Sequence, residues 1–195
     1  MAKRLKGGRK QKKRQAVPAG YVQIVPRSPV WLRMEPLMDS VDPEYFIRVF
    51  RECWKKLPLG PKRRILDYER KYSTGFSIEI LPQSFLGSLF GAAKFNGVVQ
   101  FSSSLVDLWP ERRLRLTIFH ELAHIFDHAN ITHGLSGREA GEALLAANDS
   151  ETEEAREARV NGIVKSWGFQ NRPVFKHTKR DGKRIGRNLS NLKAK

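Results

Sequence analysis

The segment LRLTIFHELAHIFDH, residues 114–128, constrains the fold of this chain more than any other. Leu116, Ile118, Phe119, Leu122, Ala123, Ile125 and Phe126 cover almost every side of a helix. A helix apolar all round must be central and surrounded. His120, Glu121 and His124 sit inside that apolar run. A buried polar group without a partner costs ~1–3 kcal/mol, so these three need partners.

The helix has a readable start. Pro110 suits a helix start and Glu111 falls in the first turn, and the pattern predicts a helix from there to about His128. Upstream, Asp42, Pro43 and Pro58 cap, open and stop a helix whose buried face is Phe46, Val49, Phe50, Cys53 and Trp54. GPKRRILDYERKYS reads as a second, shorter helix. FSIEIL alternates apolar and polar residues, as a strand does, and GYVQIVPRSPVWLRMEPL is extended at best because of its prolines. Asn96-Gly97 between short apolar runs predicts a hairpin with Val98–Ser102 as one strand. HANITHGLSG reads as a loop and REAGEALLAA as helical. SETEEAREARVNGIVKSW is the last helix, with Ser150 as its cap and Gly168 just past its end. The layout is α+β, with three or so strands ahead of the central helix.

Charge divides the chain. Residues 1–15 hold eight Lys/Arg and no acid, and residues 172–195 hold nine against one acid, Asp181. The stretch 16–171 balances at 19 basic and 19 acidic residues, so the net charge of +16 lies at the ends. The reading is a basic disordered tail at 1–20, one domain at 21–171, and a second basic tail at 172–195. Cys53 is the only cysteine, which excludes an internal disulfide and fits a reducing compartment. The cationic first residues never turn hydrophobic, and no run reaches the roughly 18 apolar residues of a membrane span. The expectation is a soluble, cytoplasmic protein.

His120 and His124 are four apart, so both imidazoles can reach one metal ion from one helix face. Glu121 then stands beside that ion, where its carboxylate can take a proton from metal-bound water. The chain's composition gives roughly 0.01 chance matches to H-E-x-x-H. A catalytic zinc takes three protein ligands and keeps one open position. His128 is ~12 Å along the helix from His120 and falls outside that set. Asp127 could orient a ligand imidazole or close the helix end. The third ligand is His133, in the following loop, or one of Glu157 and Glu153, at the border of the last helix's buried face. That face is Val160, Ile163, Val164 and Trp167, and Glu154 points away from it.

The stretch from Val98 to Phe169, with VVQFS, FHELAH, EARVN and WGF, resembles the small metallopeptidase-like proteins of phages, plasmids and microbial genomes. It looks like the gluzincin-type minimal domains related to the ImmA/IrrE group. The resemblance implies a minimal zincin-like domain with a small, mostly antiparallel sheet packed on helices. It also implies Zn2+ held by His120, His124 and Glu157, with Glu121 as general base. The strand before the central helix would be the edge that pairs with an extended protein substrate. HELAH followed by His133-Gly134 is also similar to SprT-type proteases, which act on proteins bound to DNA.

The resulting expectation is a zinc-dependent metallopeptidase. The two tails are suited to DNA or RNA phosphates through counterion release. The alternative is a non-catalytic nucleic-acid-binding or partner-binding protein with a structural or vestigial zinc site. The sequence leaves the protein substrate, the transition-state stabiliser and the oligomeric state open.

Overall fold

A computed structural model of the chain describes residues 21–26, 30–34, 42–72, 76–86, 89–95 and 97–169. Both basic tails, and Asn96 of the hairpin, lie outside these residues. The described residues form an α+β fold of five strands and seven helices. In chain order they are β1 (Val22–Gln23), β2 (Val30–Met34), α1 (Pro43–Lys56), α2 (Leu59–Tyr72), β3 (Phe76–Leu81) and α3 (Gln83–Leu86). β4 (Gly91–Ala93), β5 (Val98–Ser102), α4 (Ser103–Leu108), α5 (Glu111–Ile131), α6 (Gly137–Ser150) and α7 (Glu153–Ser166) follow.

The sheet order is β1-β2-β3-β5-β4. β1–β2 and β4–β5 pair antiparallel, whereas β2–β3 and β3–β5 pair parallel. The sheet is therefore mixed, not mostly antiparallel. The reason lies in the connections. α1 and α2 intervene between β2 and β3, and a strand that returns after a helical crossover runs parallel to its predecessor. Only adjacent strands joined by short turns run antiparallel.

Alternation gives the sheet two unlike faces. Leu32, Ile78 and Val99 stand in one row across the register, and Ile80 and Phe101 in the next, all buried. Arg33, Glu79 and Gln100 form a polar row on the opposite face. There Glu79 accepts from Gln100 at 3.0 Å and lies 3.8 Å from Arg33. The apolar face receives helices, and Phe46 of α1 packs on Phe101 with ring centroids 5.5 Å apart.

α5 runs through the middle, in contact with α1, α2, α4, α6, α7 and β4. Ile118, Leu122, Ala123 and Ile125 are fully buried, as an all-round apolar helix requires. α5 extends to Ile131, so the loop predicted from His128 is confined to 132–136. α1 follows its signals: Asp42 accepts from the Glu44 and Tyr45 backbone N–H groups, and Pro43 opens the helix. α2 equals α1 at 14 residues and is not the shorter helix expected. α7 is capped by Thr152, not Ser150, which lies within α6. Gly168 takes φ +86° just past the α7 end. Gly97, at φ +80°, closes the β4–β5 hairpin by donating to the Lys94 carbonyl. β5 is flanked on both sides, so the expectation that Val98–Ser102 forms the free edge is overturned. That edge is β4.

Candidate metal centre

α5 and α7 pack side by side, and α7 turns its Val160–Val164 stripe into the core. Glu157, one turn before Val160, is thereby brought over the α5 histidines. Its two carboxylate oxygens lie 3.2 Å from His120 Nε2 and 3.2 Å from His124 Nε2. The two Nε2 atoms are 2.9 Å apart. Glu157 Oε2 is buried and makes no hydrogen bond, although it faces His120. Ligands held 2.0–2.1 Å from a tetrahedral ion are roughly 3.3 Å from one another. The three groups are spaced as such a shell requires, and two imidazoles with one carboxylate suit a divalent zinc-like cation.

A second layer holds this cluster. Asn161, one turn beyond Glu157, hydrogen-bonds the His120 side chain. Asp127 neither orients an imidazole nor closes the helix. It receives Arg159 Nε at 3.0 Å and Nη2 at 2.8 Å, and Arg159 also reaches Glu151. This fork clamps α7 to α5 next to Glu157.

The electrostatics call for a cation. Burial pushes His120 down to about 4, with Glu157 opposing. Burial would lower His124 too, but Glu157 and Glu121 outweigh it and raise it. Burial acts to raise Glu157, yet the two histidines hold it well below the usual carboxylate range. The two carboxylates beside His124 thus favour positive charge at this point.

Glu121 faces β4. It is 3 % exposed, burial pushes its carboxyl up to about 7, and the Ala93 backbone N–H donates to it. Gly91 lies directly beneath: a Cβ there would stand 2.6 Å from Glu121 Oε1. Gly91 pairs with Phe101 and so points to the core face. The cluster is more open on its other flank, where the His124 and Glu157 side chains are 14 % and 32 % exposed.

The remaining candidates fall elsewhere. His128 is buried beside Tyr68 and Phe95, outside the cluster. His133 is exposed and contacts Arg64. Glu153 and Glu154 are exposed in the first turn of α7. Sequence reasoning missed Gly91, Ala93 and Arg159, whose roles depend on which strand and helix lie beside α5. Only the run Glu157–Val160–Asn161 carried a local signal. No protein-family model, curated protein or solved structure matches this chain.

Proposed function

We propose that this chain is a zinc-dependent metallopeptidase built on a minimal zincin-like fold. The observation that carries the reading is the convergence of His120 Nε2, His124 Nε2 and the Glu157 carboxylate, with Glu121 alongside. His120, His124 and Glu157 would hold the ion. Zinc, when bound, acidifies its water and polarises a peptide carbonyl. The Glu121 carboxylate takes the proton of the attacking water and returns it to the departing amide nitrogen. Ala93 N–H and the closeness of Gly91 hold that carboxylate in place. β4 is the edge strand beside Glu121 among the described residues; its Ala93 N–H is taken by Glu121, and its remaining outer backbone groups can pair with an extended peptide.

Among the described residues no helix is long and apolar enough to cross a membrane. A single cysteine, Cys53, leaves no internal disulfide to form, in keeping with a reducing, cytoplasmic setting. The basic stretches 1–15 and 172–195 supply charge for sequence-tolerant contact with DNA or RNA. The test is zinc content set against cleavage. The wild type should carry one zinc per chain, and His120→Ala, His124→Ala and Glu157→Gln should each lose it. Glu121→Gln should keep zinc and lose peptide cleavage. Retained cleavage in Glu121→Gln would remove the general-base assignment. A zinc-loaded wild type inert on a broad peptide library would favour a binding protein with a structural metal.

A further inference from the structure

One helical turn beyond His124, a shallow concavity, half open to solvent, lies between α5, α6, α7 and the tip of the β4–β5 hairpin. Asp127, His128, Asn148, Arg156 and Arg159 supply its polar lining, and Phe95 and Leu144 contribute to its walls. His128 is 5 % exposed, yet its Nδ1 has no hydrogen-bond partner. Arg156 Nε is likewise buried and unmet, while its Nη1 donates to Asn148 Oδ1 at 2.8 Å. The other guanidinium of the pocket, Arg159, is spent on Asp127 and Glu151. Among the described residues no carboxylate pairs with Arg156.

Unmet buried donors are costly, and native proteins rarely leave them so. A guanidinium edge beside a buried imidazole, with apolar walls, is complementary to a carboxylate. His128 stays neutral here, pushed down to about 3 by burial, by His124 and by the two arginines, so the positive charge of the pocket comes from arginine. We propose that this pocket binds the carboxylate of an acidic side chain in the substrate. The occupant rests on the peptidase reading; the anion site itself does not. Phe95 lies two residues past the end of β4, so a peptide along that edge reaches the pocket from the bond beside Glu121. At ~3.3 Å per residue, the acidic side chain falls within about three residues of the cleaved bond.

The experiment has two arms. In the first, the full zinc-loaded chain digests a peptide library and cleavage sites are mapped by mass spectrometry. The best peptide is then remade with Gln in place of its acidic residue. The ratio of kcat/KM for the acidic peptide over its Gln twin should be about 10–100, as one charge-assisted contact implies. That ratio should fall to near one in Arg156→Gln and be reduced in Asn148→Ala. Two variants guard against loss of fold in either. In the second arm, N-acetylglutamate N-methylamide, its glutamine analogue and inorganic phosphate are titrated while the His128 ring signals are followed by NMR. Shifts with the glutamate probe alone, lost in Arg156→Gln, support the site whether or not any peptide is cleaved. Cleavage without an acidic preference overturns the substrate assignment, and no cleavage at all removes the peptidase reading. Equal response to glutamate and glutamine probes, or a response to phosphate alone, overturns the carboxylate site.

Discussion

Replacing Gly91 with alanine tests whether the carboxylate of Glu121 is held in place by the sheet edge. The new methyl would stand 2.6 Å from Glu121 Oε1 and 2.9 Å from its Cδ and Cγ. Ordinary contact begins at 3.4 Å, so one partner must give by up to about 0.8 Å. Glu121 is 3 % exposed and receives the Ala93 N–H, so it cannot swing clear without losing that bond. Overpacking of this kind costs about 1–3 kcal/mol, and a misplacement near 1 Å costs on the order of 10²-fold in rate. His120, His124 and Glu157 lie alongside Glu121, but the three atoms nearest a Cβ at Gly91 all belong to Glu121. Gly91→Ala should therefore keep one zinc per chain, lower Tm by several degrees and lose about 10²-fold in kcat/KM. Adding Glu121→Asp, which withdraws the carboxylate by one methylene, should recover part of the lost stability without recovering the rate. The assays are metal analysis, thermal unfolding and peptide cleavage on the four corners of this cycle. A Gly91→Ala protein with wild-type Tm and wild-type rate would refute the placement of Glu121 against β4.

Arg159→Ala leaves the buried Asp127 carboxylate without its fork; unfolding should become easier by about 1–3 kcal/mol, and zinc should bind more weakly as α7 loosens. Calorimetry and zinc titration would check both, and an unchanged zinc affinity would show that the clamp does not position Glu157. His128 is neutral in the fold, with its pKa depressed from 6.5 to about 3. The unfolded chain binds the extra proton in that window, so stability is full above about pH 6.5 and is lost as pH falls toward 3. His128→Gln should flatten the acid limb of a denaturant-unfolding profile, and an identical limb would contradict the assignment. Glu157 and Glu121 raise the His124 pKa, so zinc competes with a proton for this imidazole. Calorimetric titrations near neutral pH in buffers of different ionisation enthalpy should report proton release, and affinity should fall on acidification.

His120, Glu121 and His124 were legible because their relation is local. Four residues of helix fix the two imidazoles on one face, whatever surrounds them. Glu157 was legible only as a border residue, since its arrival at the histidines depends on how α7 lies on α5. The phase of Val160 and Val164 sets that orientation and disfavours Glu154, whereas Glu153 shares the face and loses because it lies a full turn further back, in the first turn of α7. His133 stayed a candidate because nothing in the sequence says where a loop turns. The hairpin was readable from Asn96-Gly97, but the strand before it was not, as Gly91-Ala92-Ala93 carries no β-branched residue. The parallel pairings were hidden because β2 and β3 meet only after two intervening helices. α4 was missed because six residues are too few to show a helical period, and only the Ser102 cap marks its start.

The central claim is that one metal ion sits between α5 and α7. A crystal of zinc-loaded protein, recorded at the zinc absorption edge, tests it most directly. The account predicts a single anomalous peak about 2.0–2.2 Å from His120 Nε2, His124 Nε2 and a Glu157 oxygen, with a water completing the shell. A peak bound elsewhere, or a zinc-soaked crystal in which these three side chains hold only each other, would contradict it.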